Sequence, residues 1–155
     1  MTEETDEFKE LRCIALESSQ IGQVFPLARE VLPDLDLAGW RRYASTLIAK
    51  EDGTQRGILA VRNNAGYFCG LAIYHLVPAD AGALLVADPF VVFDLLGRTE
   101  VSDVLLTGLD ALARHLGCIA VETSLATPRD RLVKRFRAAG HNPKSMMMSK
   151  RLAVR

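Results

Sequence analysis

The amino-acid sequence predicts an α/β (α+β) domain: a mixed, mainly antiparallel sheet with helices on both faces, in the order β-α-α-β-β-β-α-β-α-β. Three observations predict it. Strand-like apolar runs alternate with helical-period segments along the chain, with no internal repeat and no low-complexity tract. "GILAVR", "NNAG" and "YFCGLAIYHLV" read as strand, short Asn/Gly loop and strand, a β-hairpin that brings antiparallel pairing. The later strands are separated by helices, and such crossovers join parallel strands. A chain of 155 residues, 49% hydrophobic and 25% charged, fits one domain over 1–155 with a real core, residues 1–10 being a flexible N-terminus.

Each element has its own signal. "LRCIALES", residues 11–18, has β-like character and opens the fold. "VFPLAREVLPDL" is a short helix, with Pro26 tolerable in its first turn and Pro33 closing it. In "LAGWRRYASTLIAKEDG", Trp40, Ala44, Leu47 and Ile48 share one helical face, and Asp52-Gly53 ends the run. After the hairpin, "ALLVADPFVVFDLL" is a long strand whose Pro89 removes a ladder donor, so a bulge or splay is expected there. From Thr99 the period becomes helical: Val101, Leu105, Leu109, Leu112 and Leu116 line one face and Gly117 terminates it. "CIAVETSL" is a strand, "PRDRLVKRFRAAG" a helix between Pro128 and Gly140, and "KSMMMSKRLAV" a last strand.

Composition excludes several function classes. Lys plus Arg (19) equals Asp plus Glu (19), so no bulk electrostatic case exists for nucleic acid or an anionic membrane. The longest apolar runs fall well short of the roughly 20 residues that cross a bilayer. The acidic start "MTEETDEFKE" is unlike a secretory signal, so the expected location is cytoplasmic. Cys13, Cys69 and Cys118 are odd in number and widely spaced, which suits reduced thiols rather than disulfides or zinc. His75, His115 and His141 lack ligand spacing, so no metal is expected. Ser102 and Ser124 lack the context of a nucleophile.

This order of elements, together with the "LP" after the first helix, Gly70 in "FCGLAIYHL", the strand "LLVADPFVVF", the helix end "ALARHLG" and "RFRAAG" before the last strand, resembles the GNAT superfamily of acyl-CoA-dependent N-acyltransferases. The likeness covers about Leu11 to Leu152. It implies acetyl-CoA or another acyl-CoA as co-substrate and a small-molecule or peptide amine as acceptor. It also implies that the fourth strand splays from the fifth to receive the pantetheine arm, with backbone N–H groups near Val91, Val92 and Phe93 polarising the thioester carbonyl. The loop and helix start after that strand, Gly97, Arg98, Thr99, Glu100, Val101 and Ser102, would then receive the pyrophosphate, as unpaired first-turn N–H groups favour an anion.

The chain departs from the family at three places. The loop pattern R-x-x-G-x-G/A falls on Gly97, Glu100 and Ser102, so a carboxylate stands where a glycine is usual. Arg98 is placed to supply some of the missing positive charge, while Thr99 as N-cap with Glu100 and Asp103 in the first turn also makes an ordinary helix start. A tyrosine that protonates the leaving thiolate in many members is Phe136 here, which has no proton to give and also fits a core stripe with Leu132 and Ala139. An asparagine near the start of that helix is Arg129, the first of a basic run through Arg137 that suits an acidic partner or a solvated face.

N-acylation needs a base that takes a proton from the amine. Asp88, before Pro89, is the first candidate and Glu122 in "AVETS" the second; a bulge cap and a solvent-facing carboxylate are their ordinary alternatives. Trp40 either lines an acceptor pocket or anchors its helix to the sheet. The alternative to a transferase is a non-catalytic ligand-binding or interaction module with the cleft filled by side chains and a homodimer face along "KSMMMSKRLAV".

Overall fold

The computed structural model describes residues 10–49, 55–93, 100–125 and 130–142. The expected N-terminal tail up to residue 9, the loop 94–99 and the predicted last strand, 144–154, lie outside the described residues. The elements are β1 (Arg12–Ala15), a 3-10 helix (Ser18–Val24), α1 (Phe25–Val31), α2 (Leu37–Ile48), β2 (Arg56–Arg62), β3 (Phe68–Ala79), β4 (Gly82–Val92), α3 (Glu100–His115), β5 (Cys118–Leu125) and α4 (Asp130–Ala138). The described sheet has the order β1-β2-β3-β4-β5, antiparallel as far as β4, with β5 parallel to β4. This is the mixed sheet that the hairpin and the crossover helix require.

Two apolar layers sandwich the sheet. On one face Leu27 of α1, Trp40, Ala44 and Leu47 of α2, and Ile21 and Val24 of the 3-10 helix cover Ile58 and Ala60 of β2 and Leu71 and Ile73 of β3. On the other, Val101, Leu105, Leu106, Leu109 and Ala113 of α3, with Phe136 of α4, cover Leu59, Val61, Ala72, Leu85, Ala87 and Phe90. Odd and even positions of β2 therefore go to opposite layers, as a period-2 strand demands. The expected α3 face is buried at Val101, Leu105 and Leu109, while Leu112 and Leu116 are only half-buried toward its end. Ala139, expected on the stripe of Leu132 and Phe136, is exposed because α4 ends at Ala138.

Several local contacts set the helix positions. Asp36 caps α2, its carboxylate accepting from the Gly39 N–H at 2.7 Å. Trp40 is fully buried and its indole N–H donates to the Ile21 carbonyl at 2.8 Å, so it ties α2 to the 3-10 helix and does not line an open pocket. Ahead of the predicted helix at 24–35 the chain turns as a 3-10 helix over Ser18–Val24, the α-helix itself runs Phe25–Val31, and β1 is four residues long. Gly117 takes φ +74° after α3 and Gly140 φ +91° after α4, the left-handed conformation that stops a helix.

Helix α3 lies close to the sheet because two glycines admit it. A Cβ on Gly70 of β3 would stand 3.0 Å from Val101 Cγ1, and one on Gly108 of α3 would stand 2.4 Å from Cys13 Sγ. Burial also pushes the Cys13 thiol up to about 11, so it stays protonated at neutral pH and behaves as a small apolar group. Gly108→Ala should therefore destabilise the protein by about 1–3 kcal/mol through overpacking, despite the better helix propensity of alanine. In a Cys13→Ala background the same change should cost less, and denaturant midpoints of the four chains measure that coupling.

Candidate functional site

The site is built around one irregularity in β4. Along β3, Ala72 pairs with Phe90 and Tyr74 with Ala87, so β4 carries one residue more than its partner over that stretch. Along β5, Ala87 pairs with Thr123 and Phe90 with Leu125, again one residue in excess. The excess falls at Asp88–Pro89, whose peptide bond is cis. This is the bulge that Pro89 predicts. Its geometric consequence is a change of parity: Leu85 and Ala87 face the α3 layer before it, and Phe90 and Val92 face that layer after it. Val91 and Phe93 consequently pack into the α1–α2 layer.

Backbone directions beyond the bulge follow from the ladder. The Phe93 N–H donates to the Cys69 carbonyl at 2.7 Å, which makes Cys69 and Phe93 a hydrogen-bonded pair and, two residues back, Leu71 and Val91 another. Val91 and Phe93 therefore turn their N–H groups to β3. Val92 turns its N–H the other way, to the β5 side, where the described pairing ends at Phe90 and Leu125.

The two candidate carboxylates flank this region. Asp88 is exposed within the bulge. Glu122 is half-buried and pairs in register with Val86, on the sheet face opposite Ala87 and the α3 layer. On the α3 side of the same strand, Thr123 sits beside Ala87 at the last regular pair before the bulge, and its hydroxyl oxygen is buried with no hydrogen-bond partner among the described residues. Sequence reasoning passed over Thr123. The signal for it was a polar residue at the period-2 position that Val121 holds as an apolar one.

The place expected for a proton-donating tyrosine is an aromatic stack. Phe136 is buried, with ring centroids 5.0 Å from Phe90 and 5.2 Å from His141, both edge-on. The His141 N–H also donates to the Phe136 carbonyl at 2.9 Å, which folds the chain after α4 back over the ring. Burial holds the His141 imidazole below its usual range, and the Asp110 carboxylate opposes this more weakly.

At the start of α3, Glu100 is exposed, whereas Val101 and Ser102 are buried. Asp103 reaches across to α4, its Oδ2 lying 3.7 Å from Arg135 Nη1 in a half-exposed ion pair, an arrangement worth about 0–1 kcal/mol. Gly97, Arg98, Thr99 and Arg129 lie outside the described residues. Glu122 thus stands on β5 level with Val86 before the bulge, Asp88 within it, Val92 beyond it on β4, and Glu100 at the start of α3. A separate open depression at the α1–α2 connection, lined by Phe25, Arg29, Glu30, Asp34 and Asp36, includes none of these residues. Among the described residues no three His, Cys, Asp or Glu side chains gather as a metal site, and no helix is long and apolar enough to cross a membrane.

Comparison with known proteins places the architecture. No family model and no curated protein matches the sequence. Solved structures do match in shape. An acetyltransferase from Trypanosoma brucei is 17% identical with a TM-score of 0.72, over 92% of this chain and 100% of that one. Glucosamine-6-phosphate N-acetyltransferase from Arabidopsis thaliana is 16% identical with a TM-score of 0.70, over 94% and 100%. The aminoglycoside enzyme AAC(6')-Iy, in complex with a bisubstrate analogue of CoA and acetylneamine, is 11% identical with a TM-score of 0.75, over 94% and 100%. The chain shares the fold of these structures, the GNAT fold that its order of elements resembles.

The neutral state of His141 has a thermodynamic sign. Its pKa is lower folded than the ordinary value of about 6.5, so the unfolded chain takes up the proton first. The stability it leaves intact above pH 6.5 is lost as pH falls through the folded pKa. Relative to His141→Phe, which keeps a ring on Phe136 but cannot titrate, the unsubstituted protein should lose stability between neutral pH and pH 5. Urea unfolding of both chains across that range measures the difference, and a flat difference would contradict the assignment.

Proposed function

We propose that this GNAT-fold chain is an acyl-CoA-dependent N-acyltransferase that transfers an acetyl group directly to a small-molecule or peptide amine. The observation that supports this most is the bulge at Asp88–Pro89, beyond which Val92 turns its N–H away from β3 at the point where described β4–β5 pairing ends. A donor in that position is aimed at a carbonyl oxygen that gains negative charge during acyl transfer. Neighbouring folds solved with CoA or a CoA analogue lend support to the same co-substrate.

When bound, an acyl-CoA supplies an acyl group already activated as a thioester. The chain's residues do the rest. Asp88, exposed in the bulge, or Glu122, half-buried on the next strand, takes the proton from the amine as its nitrogen bonds to the carbonyl carbon and the carbon–sulfur bond breaks. The departing thiolate takes its proton from solvent, because Phe136 has none to give. First-turn N–H groups of α3 and Arg98 receive the pyrophosphate, and Glu100 weakens that contact by repulsion.

Kinetics and binding separate these roles. With acetyl-CoA and a panel of amines, Asp88→Asn or Glu122→Gln should lower kcat/KM at pH 7 by about 10²–10⁴-fold for whichever carboxylate is the base, with acetyl-CoA affinity unchanged. Equal activity in both variants would remove the base assignment. Glu100→Gly should tighten acetyl-CoA binding in calorimetry, with a larger gain at low salt; unchanged or weaker affinity would remove the repulsion argument. Absence of acetyl-CoA binding and of thermal stabilisation up to millimolar ligand would overturn the transferase reading in favour of a non-catalytic module.

A further inference from the structure

A different face of the molecule carries two arginines that face each other. Arg12 of β1 and Arg62 of β2 are register partners. The Leu16 N–H donates to the Ile58 carbonyl at 2.9 Å, so every second pair from there, including Arg12 with Arg62, is of the hydrogen-bonded type, with Cα atoms about 5.5 Å apart. Side chains of directly opposed residues emerge on the same face. That face is the α1–α2 side, because Leu59 and Val61 point into the α3 layer whereas Ile58, Ala60 and the Arg62 partner Phe68 pack into the other.

Like charges directly opposed on a sheet destabilise it unless an anion neutralises them. Among the described residues no such anion is supplied: neither guanidinium has an ion pair or hydrogen bond there. Arg12 is exposed and Arg62 half-buried. Two guanidinium forks rooted on neighbouring strands can each give paired N–H donors to one tetrahedral oxyanion.

We propose that Arg12 and Arg62 form a binding site for a phosphate group, on the sheet face opposite α3 and so separate from the expected CoA contact at the start of that helix. The proposal does not depend on the transferase reading. The chemistry is that of a free phosphate ion or a small phosphomonoester, and the two sources are distinguished by experiment.

The test uses the full chain with ¹⁵N-labelled arginine and adds inorganic phosphate, with chloride at matched ionic strength as control. The Nε–H signals of Arg12 and Arg62 should shift together and saturate, with a Kd in the millimolar range or tighter. Arg62→Gln should weaken that binding about tenfold or more. Arg12→Gln should raise the melting temperature in phosphate-free buffer, by relieving the repulsion, and should abolish the extra stabilisation that phosphate gives the unsubstituted chain. Glycerol phosphate binding more tightly than inorganic phosphate identifies an organic phosphomonoester as the ligand, and equal affinity identifies the free ion. Shifts that track ionic strength alike in phosphate and chloride would overturn the proposal, as would saturable binding that neither substitution changes.

Discussion

The single extra residue of β4 at Asp88–Pro89 is the constraint on which the rest of the site depends. A strand sends alternate side chains to opposite faces, so one inserted residue exchanges the faces of everything after it. Ala87 and Phe90 both reach the α3 layer for that reason, and Val91 and Phe93 are delivered to the α1–α2 layer. Without the insertion Phe90 would leave the α3 layer and Phe136 would lose its edge-on partner at 5.0 Å. Pairing with β5 resumes after the insertion at Phe90 and Leu125, the last described pair, and the Val92 N–H beyond it points to the β5 side. Packing and candidate chemistry are therefore two consequences of one backbone event.

The start of α3 is where stability and the proposed ligand contact meet. Gly70 lets Val101 settle against β3, and Gly108 lets the helix touch Cys13, so the helix axis is fixed close to the sheet. Its first turn then carries Glu100, exposed, and Asp103, paired with Arg135 of α4. Both acids satisfy the positive end of the helix dipole, which is the same feature that would attract a pyrophosphate. A carboxylate there stabilises the free protein and weakens the contact with an incoming anion by the same electrostatics. Phe136 packs its ring between Phe90 and His141 and carries no proton to donate.

Much of this was legible from residue pattern. The hairpin around Asn63–Gly66, the helical stripe from Val101 to Leu109 and the irregularity at Pro89 follow from period, turn chemistry and a missing N–H donor, all of which are local. What local pattern does not carry is register. That Val92, and neither Val91 nor Phe93, turns its N–H toward β5 depends on which β3 residue each faces, and the opposition of Arg12 and Arg62 depends on a pairing across 50 residues of chain. Trp40 shows the same limit in another form. Its helical face was readable, but its partner, the Ile21 carbonyl, belongs to a 3-10 helix formed by a segment with neither strand nor strong helix period.

In the proposed reading the Val92 N–H, beyond the bulge, is the backbone donor that meets the acyl group. The most direct measurement of it is the backbone amide spectrum of ¹⁵N-labelled protein during titration with acetyl-CoA, comparing Val91, Val92 and Phe93. The account predicts a saturable downfield shift at the Val92 amide, as it gains a carbonyl acceptor, with much smaller changes at Val91 and Phe93, whose N–H groups stay bonded to β3. Saturable binding that leaves Val92 unmoved, or that moves all three alike, would contradict it.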